Sequence, residues 1–299
     1  MSDEGVHLFL NPTAGRGRAG KRELRISELL QRCNRPVEVH LSRDVGDLEQ
    51  QVLSQVRAGA SRIVVAGGDG SVHEASNGIM RAGGRASLGV IPSGTGNDFA
   101  KACDVPLDWE LATTQLAERI EAGQAGRVID IGRMNGRYFA NGAGIGLDAR
   151  VTQIARSYRM PIGDLVYLLA IFRAMADGIA TPRLRITADG TVWDGPLTLA
   201  NIANGPWVGG MFHIAPMAHN GDGQFDLMIA APVSRLRILA LLPAIMKGNH
   251  VTEKEISHQH VSDLLDEAAE PVLAHLDGEM QPPQQRFQIS LLAGALRLH

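Results

Sequence analysis

The stretch Gly67-Gly68-Asp69-Gly70-Ser71 decides the fold of this chain. It follows the apolar run 62–66, which predicts a buried strand, and it precedes the segment 72–80, which predicts a helix. Glycines at such a junction let the backbone approach a ligand, and N–H groups at a helix start attract phosphate. Asp69 would repel a bare phosphate, so its presence favours a divalent cation between the two. The stretch therefore predicts a phosphoryl-transfer site.

The composition is typical of a folded α/β protein. The 299 residues include 34 glycines, and 44% of the chain is hydrophobic. The net charge of -3 gives no reason to expect a nucleic acid partner. Two cysteines cannot form a disulfide framework and no secretion signal is visible, so we expect a cytoplasmic location. The longest apolar runs are too short to predict a transmembrane segment.

The secondary-structure pattern changes along the chain. Its first part alternates strands and helices, which predicts a parallel sheet that binds ligands beyond the carboxyl ends of its strands. After residue 128 short strands and hairpin turns predict a mainly antiparallel β domain, interrupted by helices at about 147–177 and 234–247. The expected domains are 1–128 with a returning segment at about 288–299, and 129–287.

Two further loops follow predicted strands of the first domain. The loop 11–20 precedes a helix predicted over 21–33 and contains G-x-G-x-x-G. This motif alone is weak evidence for a dinucleotide fold, and the loop favours phosphate binding over a plain flexible loop. The loop 92–98 ends in Asp98, which can share a magnesium ion with Asp69 through water. Loops that follow strands of one parallel sheet meet at the same edge, so we expect a common site.

Three polar segments of the second domain are candidates for chemistry. Asp222 and neighbouring carbonyls offer oxygen ligands to a hard cation, although the segment is otherwise a plain turn. Glu279, in a short acidic turn, can accept a substrate hydroxyl proton if it lies beside the γ-phosphate. The pair His258 and His260 has no further ligands nearby in sequence, so a solvated loop is favoured over a metal site.

These motifs together resemble the diacylglycerol kinase catalytic-domain family, which includes bacterial soluble lipid kinases, sphingosine kinases and ceramide kinase. The motifs that carry the likeness are Asn11-Pro12 with Gly15, Gly67 to Ser71 with Glu74 and Asn77-Gly78, Pro92 to Ala100, Gly146 to Ala149, Asp222-Gly223, and Asp277-Gly278-Glu279. The likeness covers nearly the whole chain in order. It implies an α/β domain whose parallel sheet is similar to that of NAD kinases and phosphofructokinases, followed by an antiparallel β-sandwich.

The resemblance also implies a set of site residues. The residues expected to hold ATP are Asn11, Pro12, Thr13, Ala14, Gly15, Ser42, Gly67, Gly68, Asp69, Gly70, Ser71, Val72, His73 and Thr95. Asp69 and Asp98 would organise the catalytic Mg²⁺, and Glu279 would be the general base. Asp222, with the carbonyls of His219 and Gln224, would form a structural Mg²⁺ site.

The expected function is that of an ATP- and Mg²⁺-dependent kinase of a lipid hydroxyl, diacylglycerol-like or a related alcohol, acting in phospholipid biosynthesis. Such an enzyme need only visit a membrane surface, so transient peripheral association is compatible with the expected cytoplasmic location. The alternatives are a kinase of a soluble acceptor such as NAD or a polyol, a regulator that binds ATP without transfer and, as a distant third, a Rossmann oxidoreductase. The sequence leaves open whether the chain forms a homodimer.

Overall fold

The computed structural model describes residues 5–158 and 163–299, and these form two compact units. The first unit contains residues up to 131 and the C-terminal residues 293–299, and the second contains residues 132–292. Part of the helix predicted over 147–177, residues 159–162, lies outside the described residues.

Strands and helices alternate in the first unit. Its elements are β1 (Val6–Leu10), α1 (Ala14–Leu30), β2 (Val37–Leu41), α2 (Asp47–Ala58), β3 (Arg62–Gly67), α3 (Asp69–Arg81), β4 (Ser87–Pro92), α4 (Asp98–Ala102), α5 (Trp109–Glu121) and the start of β5 (Arg127–Met134). Strands β4, β3, β1 and β2 lie side by side in that order, and all their pairings are parallel. Strands β1 and β4 are buried throughout, as expected for a parallel sheet covered on both faces.

The second unit is mainly antiparallel. Its elements are β6 (Arg137–Phe139), β7 (Gly142–Gly146), α6 (Leu147–Ser157), α7 (Leu165–Asp177), β8 (Arg183–Ala188), β9 (Thr191–Pro196), β10 (Leu199–Ala203), β11 (Phe225–Ala230), α8 (Arg235–Lys247), β12 (Ile256–Val261), β13 (Asp263–Leu276) and β14 (Glu279–Leu298). Strands β12, β11, β10, β7 and β13 lie in that order, and β13 also pairs with β8 and β14. The inward residues of these strands form one apolar core that includes Phe139, Phe225 and Phe287.

Both sheet types agree with the fold class expected from the sequence. The end of β14 belongs to the first unit, where Arg297 and Leu298 pair in parallel with Ser87 and Leu88 of β4.

Two local predictions were wrong. The first helix begins at Ala14 rather than at residue 21, and left-handed residues from Gly15 to Gly17 interrupt it. The segment around His258 and His260 is not a loop, because it forms edge strand β12 and pairs with β11 along its length. Alternation of polar and apolar residues is weak in such an edge strand, so its sequence looked like a solvated loop.

None of the helices within the described ranges has the length and apolarity needed to span a bilayer.

Candidate active site

Three loops of the first unit are packed against one another at the carboxyl ends of β1, β3 and β4. We call the segments 11–17, 67–71 and 93–98 the phosphate loops. A Cβ atom added to Gly15 would collide with the carbonyl oxygen of Ser93, and one added to Gly68 would lie 2.9 Å from the Cα of Gly94. The Ser93 N–H donates a 2.8 Å hydrogen bond to the Gly67 carbonyl. Glycine is needed at these contacts because the backbones themselves touch.

The first phosphate loop has an unusual backbone. Asn11 Oδ1 accepts hydrogen bonds from the N–H and the hydroxyl of Thr13, which turns the chain after β1. Gly15, Arg16 and Gly17 then follow in the left-handed conformation. Consecutive N–H groups in such turns form a concave surface that suits anions. The neighbouring Pro12 and Ala14 complete the loop between β1 and the regular part of α1.

One carboxylate of these loops contacts the backbone next to a second acidic residue. Asp69 Oδ1 accepts a 3.0 Å hydrogen bond from the N–H of Phe99, the residue after Asp98. Asp98 is buried, and its Oδ1 lies 3.2 Å from the ammonium nitrogen of Lys101. The structure therefore brings Asp69 and Asp98 to adjoining positions. Carboxylate oxygens are the ligands that Mg²⁺ prefers, so the donor set fits such an ion.

The other predicted nucleotide residues differ in their exposure. Thr95 is exposed, whereas Ser71, Val72 and His73 are buried in the first turns of α3, which also contain Gly70. The His73 Nε2 lies 3.3 Å from the side-chain nitrogen of Asn77. The side chains of Val72 and His73 thus pack inside the unit, and a ligand would meet this segment through its backbone.

Ser42 lies at the same edge of the sheet. It follows β2, and its N–H donates a 3.0 Å hydrogen bond to the carbonyl of Leu10 at the end of β1.

Glu74, part of the motif that carried the family likeness, has a structural contact in the first unit. Its two carboxylate oxygens accept hydrogen bonds from the N–H groups of Gly46 and Glu49 at the start of α2. A carboxylate at this position stabilises the helix by satisfying N–H groups that have no partner within it.

In the second unit, Glu279 follows a turn fixed by backbone amides. We call Asp277-Gly278-Glu279 the carboxylate turn. The Asp277 carboxylate accepts hydrogen bonds from three N–H groups, those of Ala140, Asn141 and Gly142, at 2.8–3.0 Å. Such charge-assisted bonds fix the loop conformation more firmly than neutral ones.

Arg156 orients Glu279 itself. Its guanidinium lies 2.6 Å from Glu279 Oε1 and also donates a 3.0 Å hydrogen bond to the Gly278 carbonyl. Because the guanidinium bonds to one carboxylate oxygen and to the adjacent backbone, it restricts the rotation of the Glu279 side chain.

A buried polar network lies behind the carboxylate turn. His275 Nδ1 accepts a 3.2 Å hydrogen bond from the Gly278 N–H, and its Nε2 lies 3.3 Å from Asp148 Oδ1. Asn201 donates a 2.9 Å hydrogen bond to the other oxygen of Asp148. Burial raises the pKa of Asp148, but His275 and Asn201 outweigh it and hold that pKa below its usual range.

Sequence reasoning did not single out Arg156, Asn201 or His275. Asp148 appeared only as part of a family motif. The contacts that join these residues span 53 to 127 positions along the chain, so no local pattern could have revealed them.

The segment 219–224 forms a tight turn. Asp222 Oδ1 accepts a 3.1 Å hydrogen bond from the Gln224 N–H, and the His219 carbonyl accepts a 2.8 Å bond from the Gly221 N–H. Asp222 is exposed. The oxygen donors that the turn offers are of the type that hard cations bind.

The second unit also contains an apolar cavity of about 980 Å³, a volume that includes its open mouth. Helices α6, α7 and α8 provide much of its wall through Val151, Ile171 and Leu241, and Phe212 and Met228 contribute from elsewhere in the unit. Asp148 also lines this cavity. An apolar cavity with few polar groups suits a hydrocarbon chain.

Apolar side chains also cover the solvent side of α7. Leu165, Leu169 and Phe172 are 53%, 39% and 50% exposed, and their spacing places them along one stripe of the helix. On α8, Leu236 is 78% exposed.

The comparisons with known proteins identify the family of the chain. Residues 5–132 match the family model described as "Diacylglycerol kinase catalytic domain", and residues 142–299 match "YegS C-terminal NAD kinase beta sandwich-like domain". The chain is thus a lipid kinase. It belongs to the diacylglycerol kinase catalytic-domain family, as the sequence motifs indicated.

Curated relatives cover almost the whole chain. A Pseudomonas aeruginosa protein named "Probable lipid kinase YegS-like" is 31% identical, over 94% of this chain and 90% of its own length. The "Diacylglycerol kinase" of Bacillus subtilis is 29% identical, over 92% and 89% respectively. That of Mycobacterium tuberculosis is 34% identical, over 84% and 81%.

A solved structure shares the whole fold. The crystal structure of a Bacillus anthracis protein, described as a diacylglycerol kinase, superposes on this chain with a TM-score of 0.79 at 26% identity. The match covers 99% of this chain and 96% of that chain. The α/β unit followed by a β-sandwich unit, expected from the sequence, is thereby confirmed.

Proposed function

We propose that the enzyme transfers the γ-phosphate of ATP, with Mg²⁺, to the hydroxyl of a diacylglycerol-like lipid alcohol. The observation that carries this proposal is the contact of the three phosphate loops beside Asp69 and Asp98. Loops whose backbones touch bring three glycine-rich turns and the start of α3 to one place, where a phosphate group can bind.

The ATP-binding residues are those that the resemblance implied, from Asn11 to Gly15, Ser42, Gly67 to His73, and Thr95. Asp69 and Asp98 would hold the catalytic Mg²⁺ through their carboxylate oxygens. When bound, this ion would neutralise charge on the transferred phosphoryl group. The amides of the phosphate loops would orient the phosphates and exclude water from them.

Glu279 would accept the proton of the acceptor hydroxyl. Arg156 bonds to Oε1 and leaves Oε2 to take that proton. The three backbone N–H groups that donate to the Asp277 carboxylate, and the hydrogen bond from Gly278 to His275, would keep the carboxylate turn in one conformation. General-base catalysis depends on such positioning, because the base must lie within hydrogen-bond reach of the proton.

The apolar cavity favours a lipid over a soluble acceptor. NAD or a polyol would need many polar partners, whereas the cavity wall is mostly hydrocarbon. The acyl chains of a lipid would enter the cavity, and the exposed stripe of α7, together with Leu236 of α8, would meet the membrane surface transiently. Relatives named as diacylglycerol kinases support the same acceptor class.

A second Mg²⁺ would bind at the turn 219–224. Asp222 would supply a carboxylate oxygen, and His219 and Gln224 would supply backbone carbonyls. This ion would stabilise the turn and take no part in phosphate transfer.

The test is transfer of labelled γ-phosphate from ATP-Mg²⁺ into a lipid extract in detergent, with NAD and sugars in parallel reactions. We expect label in the lipid fraction. Glu279→Gln should lower turnover by roughly 10²–10⁴-fold, the usual cost of losing a general base, while ATP binding is retained. Glu270→Gln, which changes an exposed carboxylate of the same unit, is the matched control and should leave turnover unaltered.

Two results would contradict the proposal in different ways. Label only in NAD or sugar would move the acceptor to a soluble metabolite. Full turnover in the Glu279→Gln variant would remove that residue from the mechanism and leave the acceptor class intact.

A further inference from the structure

A cluster of side chains of metal-binding type lies on β11 and β12, distinct from the proposed ATP-binding residues and Glu279 and close to the turn 219–224. His258 Nε2 lies 2.6 Å from Asp226 Oδ1, and His260 Nδ1 lies 3.8 Å from the same oxygen. One ligand atom from each residue can be chosen such that all three lie within 4.8 Å of one another. Three groups with this chemistry are sufficient to hold a metal ion.

The strand pairing brings the three residues together. His260 lies opposite Asp226 in the antiparallel pair, and His258 is two residues away on the same strand. Residues two apart on a strand point to the same face, so both imidazoles lie on the side of Asp226. The two rings meet edge to face with their centroids 4.9 Å apart. Regular secondary structure thus fixes the cluster.

The carboxylate of Asp226 is incompletely satisfied. Asp226 is only 1% exposed, and its Oδ2 has no hydrogen-bond partner within residues 5–158 and 163–299. A buried carboxylate with an oxygen that lacks a partner is costly unless a cation or a donor compensates its charge, and a cation at Oδ1 would do so because the two oxygens share that charge. The His258 and His260 side chains are 24% and 48% exposed, so an ion can enter from solvent.

From this geometry we propose that Asp226, His258 and His260 bind one zinc ion. Two imidazoles and one carboxylate are typical zinc ligands, whereas Mg²⁺ prefers oxygen ligands alone. Neighbouring ligand atoms on a tetrahedral zinc ion lie about 3.4 Å apart, given zinc–ligand distances of about 2.0–2.2 Å. The distances from Asp226 Oδ1 to the two imidazole nitrogens, 2.6 and 3.8 Å, lie on either side of that value. Small side-chain rotations would therefore bring the three ligand atoms to tetrahedral spacing.

Binding exchanges a proton for the ion. At 2.6 Å from a carboxylate oxygen, His258 Nε2 must be the hydrogen-bond donor. Zinc would take the place of that proton, and the proton would be released to solvent. A water molecule would fill the fourth coordination position of the zinc ion. The ion would join edge strand β12 to β11 and would stabilise the folded chain by mass action.

A second histidine-rich group provides a matched comparison in the first unit. His7, Glu38 and His40 also lie close enough to share an ion. There the two imidazoles already hydrogen-bond to each other at 3.1 Å, and His40 stacks on Phe9. The ring nitrogens that would have to bind an ion are therefore satisfied by each other, and we assign the zinc ion to the second unit.

The experiment is a zinc titration of the full chain after chelator treatment, in competition with a chromophoric chelator. We expect one equivalent of Zn²⁺ per chain, retained in excess Mg²⁺, and a higher midpoint of thermal unfolding. The double variant His258→Ala/His260→Ala should lose this equivalent, and Asp226→Asn should weaken it. His40→Ala should retain it.

Cobalt supplies a readout that does not depend on stability. Co²⁺ bound to the wild-type chain should show visible d–d absorption, and the double histidine variant should not, with its fold checked by circular dichroism. Equal zinc uptake by the wild-type chain and the double variant would overturn the proposal, as would loss of uptake in His40→Ala. Neither measurement involves ATP or lipid, so the result is independent of the proposed kinase function.

Discussion

The two regions that carry the proposed kinase residues are held in place by different means. In the first unit, the phosphate loops touch through their backbones, and glycine is the residue that permits the contact. In the second unit, buried charged and polar side chains hold the carboxylate turn, with Asp148, His275 and Asp277 as its main supports. A site built from backbone contacts is sensitive to side-chain volume, and one built from buried charges is sensitive to the loss of a partner.

The second unit carries buried charge elsewhere as well. Asp266 on β13 is fully buried, and neither carboxylate oxygen has a hydrogen-bond partner in the described residues. Burial raises its pKa to about 7. Burial also raises the pKa of Asp226 on β11 of the same unit.

The largest effect is expected for Asp266→Asn. Between pH 4 and 7 the unfolded chain ionises this carboxyl while the folded chain keeps it protonated, so the free energy of unfolding falls by about 1.4 kcal/mol per pH unit. The asparagine variant has no carboxyl to ionise at this position, so its free energy of unfolding does not fall with pH for this reason. It should be more stable than the wild type by up to about 4 kcal/mol at pH 8 and by about half as much at pH 5.5.

Urea unfolding at both pH values measures this gain. Asp263→Asn, on the same strand but exposed, is the control and should leave the pH dependence unchanged. Equal stability of Asp266→Asn and wild type at pH 8 would show that the buried carboxyl carries no penalty.

The next largest effect is expected for His275→Ala. The variant leaves the mostly buried Asp148 carboxylate with Asn201 alone, and taking one partner from such a charged group costs about 3 kcal/mol. The lowered pKa of Asp148 means that its pairing stabilises the fold above pH 4 and is lost as the pH falls through the folded pKa. The destabilisation should therefore be larger at pH 7 than in acid, as urea unfolding would measure.

The double variant Asp148→Asn/His275→Ala separates stability from positioning. Removal of the buried charge should restore part of the lost stability. Turnover should be reduced in His275→Ala and equally in the double variant, because in both the Gly278 N–H has lost its acceptor behind Glu279. Restored turnover in the double variant would limit the network to a structural role.

The difference between Gly15→Ala and Gly17→Ala in the same loop is expected to be smaller, at roughly 1–3 kcal/mol. Both positions are left-handed, so both variants incur a conformational cost of about 1–2 kcal/mol. Only the Cβ at residue 15 meets the Ser93 carbonyl, which adds roughly 1–3 kcal/mol of overpacking. ATP affinity and thermal stability should therefore fall further in Gly15→Ala. Equal losses in the two variants would contradict contact between the loops.

The smallest effect is expected for Leu236→Glu on the exposed side of α8. Partial burial of a leucine at a lipid surface contributes roughly 1 kcal/mol, so turnover on vesicles should fall about fivefold. Turnover on lipid dispersed in detergent should not change. Val192→Glu, an exposed apolar residue of β9 in the same unit, is the control. An equal fall in both variants would argue against a docking role for α8.

Particular residues show where sequence reasoning succeeded and where it failed. The packing of the phosphate loops at one edge was predicted, because each loop follows its own strand and parallel strands end at one edge. The metal-binding roles of Asp69 and Asp98 stay predictions. The left-handed start of α1 was missed, since glycine permits that conformation without requiring it. Edge strand β12 was read as a loop, and only its pairing with β11 brings His258 and His260 to Asp226.

The sequence by itself determined the family, the two sheet types and the local motifs, because apolar periodicity and glycine-rich junctions act over a few residues. The tertiary structure alone decided which distant side chains meet. Arg156 bonds to Glu279, and Asp148 lies beside His275, through contacts that span more than 120 residues. Such contacts depend on how whole strands and helices pack, and that packing depends on the fold of the whole unit rather than on any short segment.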